Sequence, residues 1–111
     1  MRTSNKSYLG VVTPHGVQAR TREGAEEDIL DLRLTLIKRD PAEWMDPDRG
    51  PEQLALAILA DATGNDNYAK LRYKKFSEEA TSNFPIGDGW RITINEVMGW
   101  VEANPLTEDD L

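Results

Sequence analysis

The chain has 111 residues, no cysteine, one histidine and a formal net charge of −7 from 20 acidic and 13 basic side chains. That length suits one domain whose core needs no covalent staples, and the absence of cysteine excludes a disulfide scaffold, a thiolate metal site and a cysteine nucleophile. The acidic balance argues against non-specific binding to phosphate backbones, which needs a cationic surface. The longest uninterrupted apolar run, Leu54–Ala60, is far too short to span a membrane, so the expectation is a soluble, cytoplasmic chain.

Residues 1–7 are polar and contain no apolar stretch of the kind a secretory signal carries, so they read as a flexible arm. Tyr8–Val12 and Val17–Arg22 are rich in strand formers, and Thr13-Pro14-His15-Gly16 between them supplies turn chemistry. The pair reads as a β-hairpin. Glu23, Glu26, Glu27 and Asp28 crowd around Gly24 and suggest an exposed loop. Leu30, Leu32, Leu34 and Leu36 then alternate with Asp31, Arg33 and Thr35. Strict alternation places the leucines on one face of a third strand. A helix over 25–38 is the rival that leucine propensity favours, and the alternation decides against it.

Residues 39–50 hold Pro41, Pro47 and Trp44 among charged side chains and read as a loop. Pro51 suits the first turn of a helix and Glu52 its positive end. Leu54–Ala60 is apolar on every face, which predicts the central buried helix, ended by Gly64. Asn65 or Asp66 caps a second helix over 67–83, with Ala69, Tyr73, Phe76 and Ala80 as its inner stripe. Pro85, Gly87 and Gly89 break the chain before an extended entry at Trp90 and Ile92. Thr93 and Glu96 have capping-box spacing for a third helix over 94–103, which turns Ile94, Val97, Met98 and Val101 inward. Asn104-Pro105 stops it, and 105–111 reads as an unordered acidic tail. The fold class is therefore α+β: an N-terminal β-hairpin plus a third strand in a small antiparallel sheet, packed against three helices, with one domain over 8–104.

The order of several motifs (Tyr8-Leu9-Gly10, Glu43-Trp44, Gly50–Asp61, and Trp90-Arg91-Ile92-Thr93 with Glu96 and Trp100) resembles the uncharacterised family catalogued as domain of unknown function 6166, found in bacteria, archaea and phages. The resemblance spans about Tyr8 to Val101 and is strongest over Gly50–Asp61. The segment after Glu43-Trp44, usually glycine-rich in that family, is here Met45-Asp46-Pro47-Asp48-Arg49. The resemblance implies a fold and a habit of residing on mobile elements, and brings no activity with it.

Candidate chemistry is sparse. His15 in a turn has no nucleophile or orienting partner nearby in sequence, and a lone imidazole cannot build a zinc or iron site. Asp40, Glu43, Asp46 and Asp48 match no calcium-loop spacing, and no phosphate-cradling glycine motif is present. The expectation is thus no cofactor, no metal and no catalysis. Lys70, Arg72, Lys74 and Lys75 interleave with Leu71, Tyr73 and Phe76, a pattern that can serve nucleic-acid phosphates but also describes an ordinary solvated helix face. Trp44 with Asp46 and Asp48, together with Glu23, Glu26, Glu27, Asp28 and Asp31, has the make-up of a protein-recognition surface. The leading expectation is a small non-enzymatic interaction module, phage- or mobile-element-encoded, that binds and inhibits a host defence protein in the host cytoplasm. A basic, nucleic-acid-binding partner would suit its acidic face. A nucleic-acid-binding accessory using Lys70–Lys75 is the alternative, an enzyme ranks last, and a homo-oligomer through an exposed strand edge stays open.

Overall fold

The computed structural model describes residues 6–14, 16–31, 50–85 and 88–110. Strand β1 (Ser7–Thr13) pairs antiparallel with β2 (Gly16–Glu23), and β2 with β3 (Glu26–Ile29). A fourth strand, β4 (Trp90–Thr93), joins the other side of β1, so the sheet order is β3-β2-β1-β4. Helices α1 (Gly50–Thr63), α2 (Asp66–Glu79) and α3 (Ile94–Ala103) complete the α+β architecture.

One sequence expectation needs correction here. The acidic stretch expected to be a loop is a hairpin: the chain turns at Gly24, whose φ of 62° suits glycine, and Glu26–Ile29 returns as β3. Such a strand escapes pattern reading because all four of its residues are exposed, so no apolar alternation marks it. β3 ends at Ile29, just before the first of the alternating leucines. Leu30 is buried at 3 % exposure, and its N–H donates to the Ala19 carbonyl. Leu32, Leu34 and Leu36, like His15, Asp40, Glu43, Trp44, Asp46 and Asp48, lie outside the described residues.

Alternation along the strands puts Tyr8, Gly10, Ala19, Trp90 and Ile92 on the inner face of the sheet. Every residue from Leu54 to Ala60 is at most 4 % exposed, as expected of a helix apolar all round. Full burial of each of the larger side chains there contributes about 1.5–3 kcal/mol. The alanines at 55, 57 and 60 have no bulk to hold neighbours away, and α2 is the element most extensively packed on α1. Gly64, with a φ of 66°, ends α1, and the Asn65 side chain then accepts from the Tyr68 N–H at 3.0 Å to start α2.

Helix α2 ends at Glu79, earlier than the expected 83; Thr81–Asn83 form a separate 3-10 turn instead. The Thr81 hydroxyl donates to the Pro51 carbonyl at 2.6 Å, which pins that turn to the start of α1. The expected inner stripe is realised in Ala69, Tyr73 and Phe76, with Ala80 partly buried against the same core. Phe76 meets Trp100 of α3 edge-on at 4.9 Å between ring centres, a favoured aromatic geometry. The Thr93 hydroxyl accepts from the Glu96 N–H at 3.1 Å, and the Glu96 carboxylate accepts from the Thr93 N–H at 2.9 Å. This is the capping box the spacing predicted.

Candidate functional site

Three arrangements bear on function: a charged cluster between the sheet and α1, the acidic hairpin β2–β3, and the basic side of α2 with the segment after α3.

In the first, the Tyr8 hydroxyl, on a fully buried ring, donates to Asp61 Oδ2 at 2.7 Å. Lys6 Nζ reaches the same oxygen at 2.6 Å and sits 5.7 Å from the centre of the Tyr8 ring. The cluster joins the first strand to the last turns of α1. A second junction lies two residues further along β1, where Trp90 packs over Gly10. A Cβ placed on Gly10 would come within 2.2 Å of Trp90 Nε1, so only glycine leaves room for the indole, which also stacks on Phe84 at 4.6 Å. The motif pieces that appear scattered in sequence are thus fitted to one another: Tyr8 to Asp61, Gly10 to Trp90, Thr93 to Glu96. These contacts stabilise the fold.

The acidic hairpin divides its charges between two faces. Residues paired across strands share a face, so Glu23, opposite Glu26, and Asp28, opposite Thr21, point one way. Glu27, opposite Arg22, points the other. Glu27 is partly neutralised: Arg20 Nη1 lies 2.6 Å and Arg22 Nε 3.8 Å from its carboxylate. Glu23, Glu26 and Asp28 are exposed and have no cationic partner among the described residues. Asp31 is exposed just beyond the strand. The sequence suggested one acidic patch; the pleat leaves a three-carboxylate face and a mixed one. Glu23 and Glu26 stand directly opposite each other, which costs stability in a strand pair. The Leu30 N–H points toward β2, so by antiparallel alternation Glu27 and Ile29 turn their backbone groups away from it. Ile29 is 65 % exposed, and no strand lies beyond β3 among the described residues.

On α2, Lys70, Lys74 and Lys75 are exposed, as a solvated face requires. Arg72 behaves differently. Its guanidinium grips Asp110 with two hydrogen bonds, of 3.1 and 2.5 Å, and donates to the Pro105 carbonyl at 2.9 Å. Arg72 and Asp110 side chains are only 16 % and 19 % exposed. Asp110 Oδ2 also accepts from the Thr107 N–H at 2.8 Å and from its hydroxyl at 3.0 Å. The Arg72 guanidinium, followed by the Thr107 amide, holds the Asp110 carboxyl far below the usual carboxylate range, and the pairing raises the pKa of Arg72. Tyr68 donates to the Asn104 carbonyl at 2.8 Å, and burial pushes its pKa up. The segment after α3, expected to be unordered, therefore folds back as a 3-10 turn, Glu108–Asp110, fastened to α2. Alongside it runs an open groove of about 430 Å³ lined by Leu71, Arg72 and Lys75 on one side and Ala103–Pro105 with Thr107 on the other. The groove and its latch were hidden from sequence reading because Arg72 and Asp110 are 38 positions apart.

Among the described residues no three histidine or acidic side chains are placed to hold a metal ion, and no helix is long and apolar enough to cross a membrane. The architecture is that of a small α+β domain with charged surfaces and a tightly fitted interior. The chain belongs to the family of unknown function DUF6166, whose model matches residues 8–103. No curated protein and no solved structure shows a significant match.

Proposed function

We propose that this protein is a small non-enzymatic interaction module whose β2–β3 hairpin engages a basic partner protein. The observation behind the proposal is the like-charge juxtaposition on β3. Glu23 faces Glu26 across the strands, with Asp28 on the same face, and none of the three forms an ion pair among the described residues, Arg20 and Arg22 reaching Glu27 instead. A cationic partner would turn that internal repulsion into attraction, and would also gain steering from the net charge of −7. In its finer form the proposal is a mobile-element protein that inhibits a host defence protein in the host cytoplasm. That form is supported by the acidic surface, which suits a nucleic-acid-binding target, and by the habit the family resemblance implies.

The alternative, a nucleic-acid-binding accessory, ranks second because in the closed arrangement the arginine of its basic face is engaged by a carboxylate. The test is affinity capture from a host lysate at graded salt. The expected result is one stoichiometric partner that the wild-type chain retains at low salt and that the double variant Glu26→Lys/Asp28→Lys loses, while Lys74→Glu/Lys75→Glu keeps it. Retention of the partner by Glu26→Lys/Asp28→Lys, or no partner at any salt, refutes the proposal.

A further inference from the structure

Arg72 is the one member of the α2 basic cluster that is not exposed, and what covers it is a carboxylate presenting two oxygens to the guanidinium, as a phosphate can. A guanidinium binds carboxylates and phosphates through the same two-pronged contact. Asp110 makes that contact with Nη1 and Nη2 together. We propose that Asp110 is an internal stand-in for a nucleic-acid phosphate, and that the turn Glu108–Asp110 is a latch that closes the Arg72–Lys75 groove to single-stranded nucleic acid.

Three observations carry this. Leu106 packs on the core, but beyond it the turn rests on polar contacts: Thr107, Glu108 and Asp109 are exposed, and the described hydrogen bonds run through Asp110, Pro105 and Thr107. A short segment held in this way opens at far lower cost than the core. The groove it borders is preformed, with Lys75 in its lining and Leu71, 40 % exposed, as an apolar surface for a base or sugar. Lys70 and Lys74 are exposed on the same helix. Closed, the surface shows three exposed lysines with the guanidinium taken by Asp110; open, it gains an arginine. This inference does not depend on the acidic hairpin, and the two readings fail separately.

The experiment is a fluorescence-anisotropy titration of a 20-nucleotide labelled oligo(dT) with the full-length chain at 50 to 300 mM salt. One additional phosphate contact on a single strand adds about 0.7 to the salt slope, which corresponds to roughly eightfold tighter binding at 50 mM salt. Asp110→Asn, which keeps the shape but loses the charge, should show that gain over wild type. Thr107→Ala, which removes only one of the contacts to Asp110, should show a smaller gain in the same direction and serves if Asp110→Asn fails to fold. Arg72→Gln should bind no better than wild type, and Asp110→Asn/Arg72→Gln should lose the gain. Equal binding by wild type and the folded latch variants, or a gain that survives Arg72→Gln, overturns the proposal. So does equal binding of a labelled polyglutamate peptide, which would make the groove a general carboxylate site.

Discussion

Replacing Gly10 by alanine tests whether the sheet is built around one close approach. The added Cβ would lie 2.2 Å from Trp90 Nε1 and 2.5 Å from two further indole atoms. Ordinary contact needs roughly 3.4–4 Å, so the indole must retreat by more than 1 Å, which disturbs its stacking on the Phe84 ring at 4.6 Å. Overpacking of this kind costs about 1–3 kcal/mol, and a disturbed aromatic pair about 0.5–1.5 kcal/mol. Against this stands a gain of about 0.5–1 kcal/mol because alanine loses less backbone freedom than glycine in a strand. The expected net destabilisation is about 2 kcal/mol, read as a lower urea midpoint with unchanged slope. A double-mutant cycle isolates the cause. In a Trp90→Ala background the clash is gone, and Gly10→Ala should be neutral or slightly stabilising. If Gly10→Ala is equally destabilising with and without the indole, the reasoning is refuted and glycine is needed there for its backbone.

Other perturbations probe other contacts. Tyr8→Phe removes the hydroxyl that donates to Asp61 while Lys6 still holds that carboxylate, and should cost about 1–2 kcal/mol by urea unfolding. Leu56→Ala, at a fully buried position of α1, should cost about 2–5 kcal/mol, measured in the same way. Thr93→Ala removes the hydroxyl half of the capping box and should cost about 1 kcal/mol. The pH dependence follows from Glu96, whose carboxyl the Thr93 amide and hydroxyl hold below its ordinary 4.5. A depressed carboxylate contributes fully above its unfolded value and loses that contribution as pH falls through the folded one. Thermal unfolding of Glu96→Gln should therefore fall less steeply than wild type below about pH 4.5, and the two curves should run parallel above pH 6.

Legibility from sequence followed the range of the interaction. The capping box was readable to the atom because its partners lie three residues apart, and α1 because apolarity on every face has one cheap solution, the centre of the core. The N-terminal hairpin showed itself through strand formers around Pro14 and Gly16. β3 was hidden, since it has no buried face and its residues carry the charges expected of a loop. The acidic cluster was visible as composition, but its division between two faces emerges only from the register of β2 with β3. Arg72 looked like a surface cation because nothing local announces that a carboxylate 38 residues away closes over it.

The place of β1 in the middle of the sheet governs how the chain can assemble. Its pairing with β2 closes a short local hairpin, but its other edge receives β4, beginning at Trp90. Long-range closure is slow because chain entropy must be lost before the contact repays it. During synthesis the hairpin can therefore form early, whereas the opposite edge of β1 waits until Trp90 to Thr93 have left the ribosome. The indole that settles over Gly10 arrives with that last strand. Completion of the sheet and closure of the core above it are then one event, and a chain shortened before Trp90 would keep a hairpin with an open flank and no protein to go with it.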